Sequence, residues 1–243
     1  MRKTDMYSLE NQLRQRNINP GSYSWFGADY SECQARAADN SRAGERVYGA
    51  QVTSPHGRGS GSDGSAVSEI WMTAALLNML TRIPGVTVFH RLRAPGTPRI
   101  TLNTRFPIEH AVLHGSTVYL IDPATTYWNS LSLEWVQKSN GRYGIGHPPR
   151  WSHNHEGLVD GARRFAALPG MERVVPLLVM YNREEPIPAE ARWSPQGVGL
   201  FTPNEMMEFM GSGIRDALRS WRDNPQLREA MIDLRERSLF TFN

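Results

Sequence analysis

The chain has 243 residues, enough for one substantial core or two small domains, and its 40% hydrophobic and 21% charged residues with seven Trp are the composition of a globular protein. A formal charge of +3 is too small to name a partner, since nucleic acid and a plain hydrated surface both suit it. The single cysteine, Cys33, excludes a disulfide framework within the chain and a thiolate zinc cluster. The basic start MRKTDMYSLENQLRQRN has no apolar signal core, and no stretch approaches the roughly 18–20 apolar residues that span a bilayer, so the expected location is cytoplasmic and no membrane partner is expected.

Residues 1–64 read as an N-terminal extension. A short helix over 6–17 is followed by a stretch mixing aromatics with turn formers, and SPHGRGSGSDGS at 54–65 reads as a flexible Gly/Ser-rich linker. Trp25, Phe26 and Tyr30 suit docking on this protein or on another subunit, with stacking on bases as the alternative. From Ser65 the pattern turns helical. In SAVSEIWMTAALLNML, residues Val67, Ile70, Trp71, Ala74 and Leu77 recur at three- and four-residue spacing and predict a buried stripe, with Glu69 near the first turn and outside it.

GVTVFHRLR at 85–93 predicts a strand after the Pro84-Gly85 turn, and 94–106 a loop. Strands over 107–114 and 117–122 are joined at Gly115-Ser116, a connection short enough to demand an antiparallel hairpin. TVYLID is an almost continuous apolar run that ends in Asp122, and Pro123 cannot donate to a ladder, so a carboxylate falls at a sheet rim. Residues 129–154 read as irregular around a short strand, followed by a helix over 156–168 and a strand, RVVPLLVMY, over 173–181. Pro176 argues against a regular central ladder there. Thr202, Pro203 and Glu205 spell a capping box with proline at the first helical position, and a last helix starts near Asn224-Pro225.

Three acidic residues stand out in this layout: Glu69 on a helix, then Glu109 and Asp122 on neighbouring strands. Converging carboxylates of this kind suit Mg²⁺ or Mn²⁺, hard cations that take oxygen ligands, polarise a phosphate oxygen and lower the pKa of an attacking water. The segments SEIWMTAALLNMLTRIPGVTVFHRLRAPG and IEHAVLHGSTVYLID, with Trp128, resemble the nuclease-related domain, a branch of the restriction-endonuclease-like superfamily found in bacterial and mobile-element proteins. In that family a helix Glu precedes a strand acid in an (I/V)DH context and then a (D/E)xK motif. Glu69, Glu109-His110 and Asp122 match those positions over roughly residues 65–182.

The resemblance implies an α/β fold over 65–243, a restriction-endonuclease-like core with a mixed sheet flanked by helices, preceded by the N-terminal arm. It implies a metal-dependent DNA nuclease, with Glu69, Glu109 and Asp122 as catalytic residues and as ligands of Mg²⁺ or Mn²⁺. Two departures stand against the pattern. Glu109 replaces the usual Asp, and Ala124 replaces the motif lysine that orients water or offsets charge in the transition state. Losing such a contact costs about 10²–10³ in rate. Thr125, Thr126, Lys138 and Arg142 are the candidates to compensate.

Arg91, Arg93, Arg99 and Arg105 make 91–105 basic, suited either to a nucleic-acid backbone or to a hydrated loop with balanced charge. His110 and His114 share one face of their strand, opposite to Glu109, and lack a third ligand for a transition metal. His153 and His155 in WSHNHEG have the same shortfall, and His90 reads as structural or as a groove contact. No dinucleotide or phosphate-binding glycine motif and no serine nucleophile elbow occurs. The alternative function is a catalytically inactive nuclease-like domain that binds DNA or assembles with protein partners, or with itself through the arm, in a phage or mobile element. A virion location would follow from that setting.

Overall fold

A computed structural model describes residues 46–49, 64–97, 108–124, 133–137, 141, 143–147, 150–153, 156–181 and 186–235; for 64–69, 71, 146–147, 150–153 and 156 it gives the backbone alone. The architecture is α/β, a mixed six-stranded sheet with helices on both faces. In chain order the elements are β1 (Val47–Gly49), α1 (Gly64–Met79), β2 (Val86–Leu92), β3 (Ile108–His114), β4 (Thr117–Ala124), β5 (Glu134–Gln137), β6 (Tyr143–His147), β7 (Arg150–His153), α2 (Glu156–Ala166), β8 (Arg173–Met180), β9 (Gly199–Phe201), α3 (Pro203–Ala217) and α4 (Pro225–Asp233).

The main sheet runs β1-β2-β3-β4-β8-β9. Only β3 is antiparallel to its neighbours; β1 pairs parallel with β2, β4 with β8, and β8 with β9. The β3–β4 hairpin forms as expected, with Gly115 at φ +60° in the turn, a conformation that suits a residue without Cβ. Both prolines sit where a ladder can spare a donor. Pro176 precedes the stretch Leu177–Val179 that pairs with β9, and Pro123 lies beyond the last paired residue of β3.

On one face α1 and α3 pack Met72, Leu76, Leu77 and Leu80 and Met206, Met207, Met210 and Ile214 over Val86, Val88, Val112, Ile121, Leu177 and Val179. Ala74 and Leu77 are buried as the spacing predicts, but so are Met72 and Leu76, so α1 is enclosed on more than one side. Buried Thr73 of α1 meets the Tyr181 hydroxyl at 2.8 Å. The opposite face carries α2 and α4, whose Leu158, Phe165, Leu227 and Met231 cover Phe89, Ala111, Leu113, Leu120, Ala124 and Leu178.

The middle region differs from expectation. Instead of irregular chain around one strand, β5, β6 and β7 form a separate antiparallel three-stranded sheet. It is tied to the core by Ile145 and by the Trp135 indole, which donates to the Ala191 carbonyl at 2.7 Å. Its many Gly and Ser residues hid the strands, and apolar alternation is confined to a few positions. Among the described residues no helix is long and apolar enough to cross a membrane.

Candidate metal centre at the sheet rim

The parallel strands β2, β4, β8 and β9 end on one rim, the edge of an open α/β sheet at which ligands usually bind. Antiparallel β3 begins there, so the first residues of β3 lie beside the last residues of β2 and β4. The register makes this specific. His90 pairs with His110, and His110 with Ile121, so Arg91 of β2, Glu109 of β3 and Asp122 of β4 are each the next residue toward the rim beyond that row.

Both carboxylates are partly buried. Desolvation by burial, followed by the charge of Glu109, pushes the Asp122 carboxyl up to about 7. Two like charges held together out of water form a site that favours a proton or a cation between them. The Nε of Arg91 lies 4.0 Å from Oε2 of Glu109, an ion pair between neighbouring strands.

Arg91 has φ +58°, whereas every other residue described with positive φ is glycine. Left-handed backbone costs a residue with Cβ about 1–2 kcal/mol. Its effect on the strand is visible in the packing. His90 and His110 face α1, so alternation would send Leu92 and Ile108 the same way; both instead join the apolar cluster beneath α2 and α4. The alternation of β2 and β3 thus breaks between His90 and Leu92 and between His110 and Ile108.

Glu69 lies in α1, in its second turn rather than its first, and its side chain is outside the described set. The N-terminal half of α1 reaches the same rim from the other face of the sheet, because the ring of His110 lies close to the Ile70 backbone. Among the described residues no group of three or more His, Cys, Asp or Glu able to hold a metal occurs, and the Glu69 side chain is not part of that set.

Ala124 is fully buried in the apolar cluster under α2 and α4. A lysine there would enter a hydrocarbon environment. Thr125, Thr126, Lys138 and Arg142 lie outside the described residues, as do Arg99, Arg105, His155 and the aromatic arm with Cys33. The guanidinium of Arg93 donates to the carbonyls of Thr97 at 3.0 Å and Asp233 at 3.2 Å, clamping the end of β2 to α4.

The histidines form a second polar feature. His90 Nδ1 and His110 Nδ1 are 2.9 Å apart, and His90 Nε2 meets Asn78 Oδ1 at 3.0 Å. With Asn78 Oδ1 accepting from His90 Nε2–H, the bare His90 Nδ1 accepts from His110 Nδ1–H. Burial drives His90 down to about 4, and burial together with the charge of His90 drives His110 well below its ordinary value. His114, also pushed down to about 4 by burial, packs its ring on Trp221 with centroids 5.2 Å apart. His110 and His114 thus have different neighbours and form no common ligand pair. The sequence gives no sign of the His90–His110 contact, which depends on register.

No family model, no curated protein and no solved structure matches this chain.

Proposed function

We propose that the chain is a metal-dependent DNA nuclease with a restriction-endonuclease-like core, hydrolysing phosphodiester bonds with Mg²⁺ or Mn²⁺ held by Glu109 and Asp122 and completed by Glu69. The observation that carries this reading is the nearness of Glu109 and Asp122 on adjacent strands, where burial and then the charge of Glu109 raise the pKa of Asp122. Two carboxylates suit a hard divalent cation, which would favour the charged form of Asp122. Such an ion, when bound, supplies Lewis acidity toward the phosphate and a more acidic water.

In this reading the side chains of the chain do the positioning. Asp122 and Glu109 fix the ion from two strands of a rigid sheet, and Glu69 approaches from α1 at the same rim. Arg99 and Arg105 provide contacts to the phosphate backbone that carry no sequence preference. The test is cleavage of supercoiled and linear DNA in Mn²⁺ by the wild type and by Asp122→Ala, with Mn²⁺ binding measured by calorimetry. Metal-dependent nicking that disappears with the substitution supports the nuclease.

A second reading is favoured by one observation, the burial of Ala124 in the apolar cluster where the motif has its lysine. In it the domain has lost cleavage and serves DNA binding, or assembly with a protein or a second copy through residues 1–64, in a phage or mobile element. DNA binding without cleavage, unchanged in Asp122→Ala, is its signature.

A further inference from the structure

Building on the nuclease reading, we infer that Arg91 is the positioning cation of the carboxylate site, supplying from β2 the positive charge that position 124 of β4 does not. Three independent features of the fold converge on it. Arg91, Glu109 and Asp122 each follow, toward the rim, the paired residues His90, His110 and Ile121 of β2, β3 and β4. The guanidinium Nε stands 4.0 Å from Glu109 Oε2, an ion pair between β2 and β3. The backbone of Arg91 is held at φ +58°, a conformation normally left to glycine, in a strand whose other described residues have none of it.

Strain of that kind persists only where the surrounding structure over-determines it, and it gathers at functional sites. Past Arg91, Leu92 and Ile108 join the opposite apolar cluster, and the Arg91 side chain lies partly exposed beside Glu109. Ala124 cannot take this role because its side chain position is enclosed by apolar groups. A guanidinium beside Glu109 holds positive charge against that carboxylate, the task of the motif lysine carried out from another strand. The basic segment 91–105 therefore divides: Arg91 belongs to the reacting centre, and Arg93 to the clamp on α4.

The experiment compares the full chain with Arg91→Gln, Arg91→Lys and Arg91→Gly, measuring plasmid nicking in Mn²⁺, DNA affinity in Ca²⁺ by fluorescence anisotropy, and thermal unfolding. Arg91→Gly suits the left-handed backbone and guards against a mere folding defect. The inference expects kcat to fall about 100-fold or more in Arg91→Gln and Arg91→Gly, with KM and DNA affinity changing less than about threefold and partial recovery in Arg91→Lys. Wild-type kcat in both neutral variants overturns it, as does a loss of DNA affinity equal to the loss of rate, which would make Arg91 a backbone contact. If the wild type neither nicks DNA nor binds Mn²⁺, the nuclease reading itself falls and takes the inference with it; nicking that is insensitive to Arg91 removes the inference alone.

Discussion

Asp122 lies near Glu109 of the neighbouring antiparallel strand, and the charge of Glu109 adds to burial in raising the Asp122 carboxyl from 3.8 to about 7. A folded pKa above the unfolded one means that the native state holds the proton more tightly. The associated stability is fully present below about pH 3.8 and lost as pH rises through 7. At pH 8 an ionised Asp122 therefore destabilises the fold. Asp122→Asn, which keeps the shape and removes the charge, is expected to gain about 1–3 kcal/mol at pH 8 and almost nothing at pH 4. Urea unfolding at the two pH values checks this, and an unchanged midpoint at pH 8 would show that the carboxyl is not strained. The same substitution should abolish metal-dependent nicking.

The buried histidines act in the opposite direction. His90 and His114 titrate near 4 in the folded chain against an ordinary value of 6.5, and His110 lies well below that value. As pH falls the unfolded chain takes up protons first, so stability is intact above about 6.5 and drains away toward pH 4, by several kcal/mol in total as an order of magnitude. Asp122 opposes this loss over part of the range, and the cleanest measurement is therefore made in the Asp122→Asn background. Urea midpoints should fall steadily from pH 7.5 to pH 4.5. A flat profile there would mean the histidines are hydrated or already charged.

Glu205 is a hub rather than a simple cap. Its carboxylate accepts from the Thr202 backbone N–H and hydroxyl, both at 3.0 Å, from the Ile187 N–H at 3.2 Å, and from the guanidinium of Arg192. The Glu205 N–H in turn donates to the Thr202 hydroxyl oxygen at 3.4 Å, completing the capping box. Thr202→Ala should cost about 1 kcal/mol and Glu205→Gln about 2–3 kcal/mol, because the latter also strands a half-buried arginine. The double variant should fall short of their sum, since both remove the same box. Additive losses in chemical denaturation would count against a shared network.

The capping box, the β3–β4 hairpin and the strand over 173–180 were readable because each is encoded within a few residues: Thr202-Pro203-x-Glu205, Gly115-Ser116 between apolar runs, and a long β-branched stretch. β1 and β9 are three residues each, too short for any periodicity to register. β1 joins the main sheet although it lies in the segment read as an extension. For the site, the sequence named Glu109, Asp122 and Arg91 but could not bring them together, because nearness across three strands is a property of register. Nor could it reveal the left-handed Arg91, since that residue type gives no signal for φ above zero.

Restoring the family motif offers a direct contrast between sequence resemblance and packing. By analogy alone, Ala124→Lys should improve cleavage by returning the missing amine. The burial of Ala124 against the cluster under α2 and α4 predicts otherwise. A lysine placed there must either push its stem through close-packed side chains or bury an ammonium without a partner, and each costs about 1–3 kcal/mol or more. The expected result is a loss of about 2–4 kcal/mol in urea unfolding with no rise in nicking rate. The contrary result, wild-type stability with faster cleavage, would mean that the new stem threads out to the rim and that the vacancy beside Asp122 is open. Position 124 would then be available to a cation, and the charge contributed by Arg91 from β2 would be redundant.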